Sequence, residues 1–256
     1  MGRTAAVLIL LAGAQADRIG RDRAPAAALK ALAEVQKKKA VAIVETTQLG
    51  LAGETTSTFE GVLKKDVAAV KGSAEVYARG RNYVLRVGDR YDQGARLRGE
   101  EAVLAASFRN PAVMLAEAAR LVPGAVYLED EEVDGRACKV ISLPADGRLL
   151  KEHLAEVADL VQKQLTGLAK DLFSGNLTSY LDEKLSTSRF VLWVGKADLL
   201  VHQMEWSLEA ESRQASLPPG LAPFRVTRRC VVKFSRWDEE LALDIPAPVK
   251  ARLGIP

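Results

Sequence analysis

Apolar and polar positions alternate with period two along most of the chain. Residues 200–208 carry the pattern most plainly. Leu200, His202, Met204, Trp206 and Leu208 fall on one face, and Val201, Gln203, Glu205 and Ser207 on the other, as in a half-buried strand. Similar runs cover 40–49, where Val41 and Ile43 are set against Glu45 and Thr47, and 55–72, where Phe59, Leu63 and Val67 share a face. Shorter ones follow at 74–80, 82–94, 125–133, 136–144, 187–195 and 224–241. Asp134-Gly135 separates two of these runs, a strong signal for a tight hairpin. The spacing changes in three places. Residues 24–39 read as a helix with Pro25 near its first turn, and 110–122 as a helix closed by Pro123-Gly124. Over 147–173, Leu150, Leu154, Val157, Leu160, Val161, Leu165, Leu168 and Leu172 recur every three or four residues, which predicts one long amphipathic helix. Residues 243–254 read as a closing edge segment with a short helical tail. About nine strands, mostly joined by short turns, with helices before, between and within them, predict an α+β fold: a meandering antiparallel sheet with helices on one face.

The first residues add a location. Met1-Gly2-Arg3 is a short cationic start, Thr4 to Leu11 is apolar, and Ala12, Ala14 and Ala16 supply small residues. This is the pattern of a cleavable secretory signal over 1–16, leaving a single domain at 17–256. The apolar run is too short to span a bilayer, which takes about 20 residues. No cysteine stands near the cleavage site to carry a lipid. A soluble protein, periplasmic or secreted, is expected.

Composition changes little. With 48% hydrophobic and 27% charged residues and a net charge of +3, the chain is ordinary globular protein. Its charges are interspersed, so no nucleic-acid partner is expected. Lys37-Lys38-Lys39 reads as the cationic end of a helix.

Catalytic motifs are missing. There are two histidines, His153 and His202, and no Gly-x-Ser-x-Gly elbow, zinc-ligand spacing, phosphate loop or dinucleotide fingerprint accompanies them. The acidic run 129–132 could draw a cation, but it leads into a hairpin and reads as a solvated strand end. No enzyme activity, cofactor or metal is expected. A hydrolase working through a carboxylate pair is the remaining enzymatic alternative. Cys138 shares a face with Val140, and Cys230 with Val232 and Phe234. The two could form a disulfide in an oxidising compartment or stay as buried thiols.

The positive signal is for binding. Phe59, Leu63, Phe190, Leu192, Met204, Trp206, Val232 and Phe234 give several strands a face of large apolar side chains. They suit the wall of a ligand cavity, and equally a dry core. The stripes of the two internal helices, with Met114, Leu121, Leu154, Val157, Val161 and Leu165, suit a lid over that face.

The stretches EVDGRACKVISLP, STSRFVLWVGKADLLVHQMEWSLEAE and VTRRCVVKFSRWDEELALDIPAPV resemble bacterial outer-membrane lipoprotein-sorting proteins of the Lol carrier type and related lipid-carrying lipoproteins. The order of elements is similar as well: a signal, a helix, a strand carrying STFEGVL, a Tyr77-x-Arg79 strand and NYVLRVGDRYDQG. The resemblance spans most of the mature chain, through patterns of strands. It implies an incomplete antiparallel β-barrel, a curved sheet with helices covering its concave side, and a hydrophobic cavity for acyl chains. It further implies a periplasmic carrier of an acyl lipid or lipoprotein, serving an envelope membrane complex. An envelope sensor or scaffold that binds a protein partner on the same fold is the alternative. The helix at 147–173 is longer than a minimal carrier requires, and without an anchor cysteine the chain is closer to the soluble carrier than to an anchored receptor.

Overall fold

The computed structural model describes residues 23–50, 54–93, 107–164, 177–213, 217 and 222–256. The predicted signal and Leu165 therefore lie outside the described residues. Twelve strands form one sheet: β1 (Val41–Gly50), β2 (Glu54–Lys64), β3 (Val67–Gly72), β4 (Val76–Arg79), β5 (Asn82–Val87), β6 (Arg90–Gln93), β7 (Val126–Tyr127), β8 (Glu131–Val133), β9 (Arg136–Pro144), β10 (Leu181–Gly195), β11 (Val201–Ser212) and β12 (Arg225–Ser235). Among the described residues four α-helices accompany them: α1 (23–37), α2 (Pro111–Arg120), α3 (Gly147–Gln164) and α4 (Ala247–Leu253).

Nine predicted runs become twelve strands because three of them divide in two. Lys65 takes a left-handed backbone (φ 57°) between β2 and β3, and Gly88 (φ 58°) does so between β5 and β6. The run at 125–133 divides into β7 and β8, which pair with different parts of β9. The predicted Asp134-Gly135 hairpin forms, with both residues at positive φ as a type I′ turn requires. Gly61 marks a close approach. A Cβ there would fall 2.0 Å from the Ala69 carbonyl oxygen on the neighbouring strand.

The strand order is β6-β5-β4-β3-β2-β1-β12-β11-β10-β9-β7, with β8 also on β9, and every pairing is antiparallel. Two meanders, β1–β6 and β7–β12, meet along the β1–β12 ladder. The two outer ends do not pair with each other, so the sheet is an incomplete barrel. One face carries the main core, where Phe59, Met204, Trp206 and Val232 meet apolar side chains of α1, α2 and α3. At β3–β5 the opposite face is covered by α4, through Val67, Tyr77, Val84, Val249 and Leu253. The helices are therefore not all on one side.

Two expectations about strand faces are corrected. Glu45 and Thr47 have the same parity as Val41 and Ile43, so in β1 all four point into the helix-covered face and are buried. In β11 the register shifts where Trp193 and Val194 of β10 face Gln203 and Val201. This bulge gives the core position to Val201, while His202 bonds Asp198 and Arg136. Arg136 can only donate to His202 Nδ1, so Nε2 carries the proton toward Asp198, 2.9 Å away.

The two cysteines are free. β9 and β12 are separated by β10 and β11, about 14 Å across at the usual strand spacing, and the register sets Cys138 level with Gly195 but Cys230 level with Phe190, five residues further along β10. A disulfide needs Cα atoms roughly 4.4–6.8 Å apart. Cys138 packs with Val133, Val140, Val191 and Trp193, whereas Cys230 lies in the main core with its Sγ 3.8 Å from Met114 Sδ.

Candidate functional site

Helix α2 is the centre of the helix-covered face. Its first turn is held by Asn110, whose Oδ1 accepts from the Ala112 N–H and whose Nδ2 donates to the carbonyls of Asp66 and Gly80. A side chain serving as N-cap and as tie to two β-turns at once leaves little freedom at that end of the helix. A cavity opens on each side of α2. One is polar and the other apolar, each about 240 Å³.

The polar cavity opens onto a buried hub of charges. Arg109, just before α2, stacks its guanidinium 3.8 Å from the centre of the Trp206 ring, with Arg228 of β12 at 5.1 Å. Glu156 of α3 binds both arginines, Oε1 to Arg228 at 2.8 Å and Oε2 to Arg109 at 3.2 Å. Glu117 of α2 takes Arg109 at 2.8 Å and the exposed Arg81 at 2.8 Å. Two buried guanidiniums thus face two carboxylates, so the hub is balanced, as buried charge must be. Burial raises the Glu156 pKa, but the two arginines outweigh it and hold the group at about 2. Burial also works against Glu117, and the His153 bond with the Arg109 charge still leaves it below the usual carboxylate range.

His153, Ser188 and Trp206 continue the hub into the core. The indole N–H of Trp206 can only donate, and it points at Ser188 Oγ (3.0 Å) and His153 Nδ1 (3.3 Å). Nδ1 is therefore the acceptor nitrogen, and Nε2 carries the proton toward Glu117 Oε2, 3.5 Å away. Burial lowers the His153 pKa and keeps the ring neutral. Glu117, His153 and Ser188 have the composition of a hydrolytic triad. However, Ser188 is buried and its hydroxyl is engaged by both Trp206 and His153. It lines neither cavity. Glu45 sits behind the hub. Its Oε1 accepts from the Arg109 backbone N–H at 2.7 Å and from Thr47 at 3.3 Å, and its Oε2 has no partner. Burial raises this carboxyl to about 7.

The apolar cleft lies between α1 and α2, over β1 and β2. Leu32, Val35, Val41, Leu63, Ala112, Leu115 and Trp237 form its walls, and Lys38 and Lys65 line it as well. Trp237 stacks on Phe234 with ring centres 5.7 Å apart, and its indole Nε1 is buried with no hydrogen-bond partner.

Of the eight residues expected to wall a cavity, only Leu63 reaches this cleft. Phe59, Phe190, Leu192, Met204, Trp206, Val232 and Phe234 fill the main core. The expected lid residues Met114, Leu121, Leu154, Val157 and Val161 pack into the same core. In the acidic run, Glu131 accepts from Trp193 Nε1 at 2.8 Å. Among the described residues, no group of acidic, histidine or cysteine side chains is arranged to hold a metal. The hub escaped the sequence-based expectations, although its members carried a signal. Arg228 shares parity with Val226, Cys230, Val232 and Phe234 in β12. Glu117 follows Met114 by three residues on the buried face of α2.

No family model matches the chain, and no curated protein matches it. Similar solved structures exist. The Mycobacterium tuberculosis lipoprotein LppX covers 87% of this chain and 99% of its own at 10% identity, with a TM-score of 0.44. LprF from Mycobacterium bovis covers 88% and 98% at 11% identity and 0.39. A LolA superfamily protein from Nitrosomonas europaea covers 88% and 96% at 12% identity and 0.30. Likenesses this distant say nothing about ligand or role. The architecture that the Lol-carrier resemblance implies, an incomplete antiparallel barrel with helices laid over it, stands on this chain's own strand order.

Proposed function

We propose that this chain is a non-enzymatic acyl-chain-binding protein, an exported carrier that holds a lipid or lipoprotein chain beneath its helices. The cleft between α1 and α2 carries this reading: about 240 Å³ walled by leucine, valine, alanine and tryptophan. Each buried methylene contributes about 0.8 kcal/mol, so a chain inserting about six of them gains about 5 kcal/mol. A longer chain needs α2 to shift from α1 and extend the cleft into the core. The polar cavity on the other side of α2 is a poor host for such a chain. An alkyl group there would strip water from Arg109, Arg228 and Glu156 without replacing their hydrogen bonds.

The test is fluorescent fatty-acid binding with native mass spectrometry of residues 17–256. Micromolar binding that falls at least about tenfold in Leu115→Glu supports the reading. That substitution puts a charge on the apolar wall at a part-buried position, and an unchanged circular dichroism spectrum shows that the fold is kept. A clean apo mass together with no binding by the wild type overturns it.

A further inference from the structure

The apolar cleft has a chemical bias beyond its hydrophobicity. Its lining includes two lysines and no carboxylate. Lys38 is tied to Asp238 at 2.6 Å, whereas Lys65, at the β2–β3 turn, is exposed and has no ion-pair partner among the described residues. The other polar groups are the exposed Gln36 amide and the Trp237 indole N–H, a buried donor that no protein acceptor satisfies. A buried unmet donor costs free energy, and a ligand oxygen can remove that cost. Apolar walls and cationic side chains in one cleft, with an unmet donor on one of its lining residues, describe a site for an amphiphile with a negative head.

Building on the acyl-binding reading, we propose that the cleft selects anionic amphiphiles. The alkyl chain lies along Leu32, Val41, Leu63 and Leu115, and a carboxylate or phosphate sits by Lys65 with an oxygen on the Trp237 N–H. Neutral esters fill the same walls but leave Lys65 unpaired.

The experiment compares cis-parinaric acid with its methyl ester by fluorescence titration at low salt. The acid binds about tenfold tighter than the ester, the factor one charge-assisted hydrogen bond supplies. Lys65→Gln, at an exposed turn, brings the ratio of acid to ester affinity to about one. Trp237→Phe keeps the ring, removes the N–H and weakens both ligands. Displacement by lysophosphatidylglycerol and not by zwitterionic lysophosphatidylcholine extends the site to phospholipids. Displacement by neither, with the acid preference intact, assigns it to free fatty acids. Equal affinity for acid and ester in the wild type overturns the anionic selectivity and leaves acyl binding standing. Failure of both ligands to bind overturns acyl binding itself.

Discussion

Glu45→Gln is the most direct probe of the buried hub. The carboxyl is fully buried, with one oxygen on the Arg109 backbone N–H and the other without a partner. Its pKa stands at about 7, against an ordinary value of 4.5. Between those pH values the unfolded chain releases this proton and the folded chain keeps it. Stability therefore falls as pH rises through this window, and the full cost is present above about 7. About 2.5 pKa units at 1.36 kcal/mol each correspond to about 3 kcal/mol. Gln keeps a carbonyl for the Arg109 N–H and cannot ionise. Urea denaturation of wild type and variant at pH 5, 6, 7 and 8.5 measures the difference. Contributions from other titrating groups cancel in that subtraction. The variant gains on the wild type progressively, by about 2.5 kcal/mol at pH 8.5 relative to pH 5, or about 5–10 °C in Tm for a domain of this size. Parallel stability curves over the whole range would show that Glu45 ionises without cost and would refute the reasoning.

Glu117→Ala leaves Arg109 with one carboxylate and the His153 Nε2–H with none, so it destabilises by about 3–5 kcal/mol, measured by urea denaturation at pH 7. Glu117→Gln, which keeps an acceptor, costs less. Ellman's reagent finds neither thiol in the native protein and both after unfolding without reductant. A count of zero after unfolding would mean a disulfide that the strand order forbids.

The strands were legible because their signal is local. Alternation and the Asp134-Gly135 turn lie within a few residues of each other, and both survive into the structure. The turn at Gly88 carries its own signal in Gly88-Asp89, whereas the turn at Lys65 was harder to see, since Lys64-Lys65-Asp66 has no Gly, Pro or Asn. The candidate site was only partly legible. Parity alone places Arg228 and Glu45 on buried faces, but which buried charges neutralise one another depends on α2, α3 and β12 meeting in space. That pairing is a long-range property with no local signature. Large apolar side chains on a strand likewise look the same whether they wall a cavity or fill a core. Here Leu63 reaches a cleft, and Trp206 is enclosed by Arg109, His153 and Ser188.

The β1–β12 ladder runs from Ala42 beside Ser235 to Gly50 beside Thr227. Among the described residues it is the one ladder that joins the two meanders, so the last strand of the sheet is the piece that completes it. Until residues 225–235 have been synthesised, β1 and β11 both present bare edges, and the core shared by both meanders lacks its middle. Non-local closure of this kind is slow, and an exposed edge invites other strands to pair. Early domain-by-domain folding on the ribosome is thereby denied to this chain. Under the export proposed above, in which the chain crosses a membrane in extended form, that delay is useful: the topology keeps the polypeptide transportable until its final strand zips the halves together.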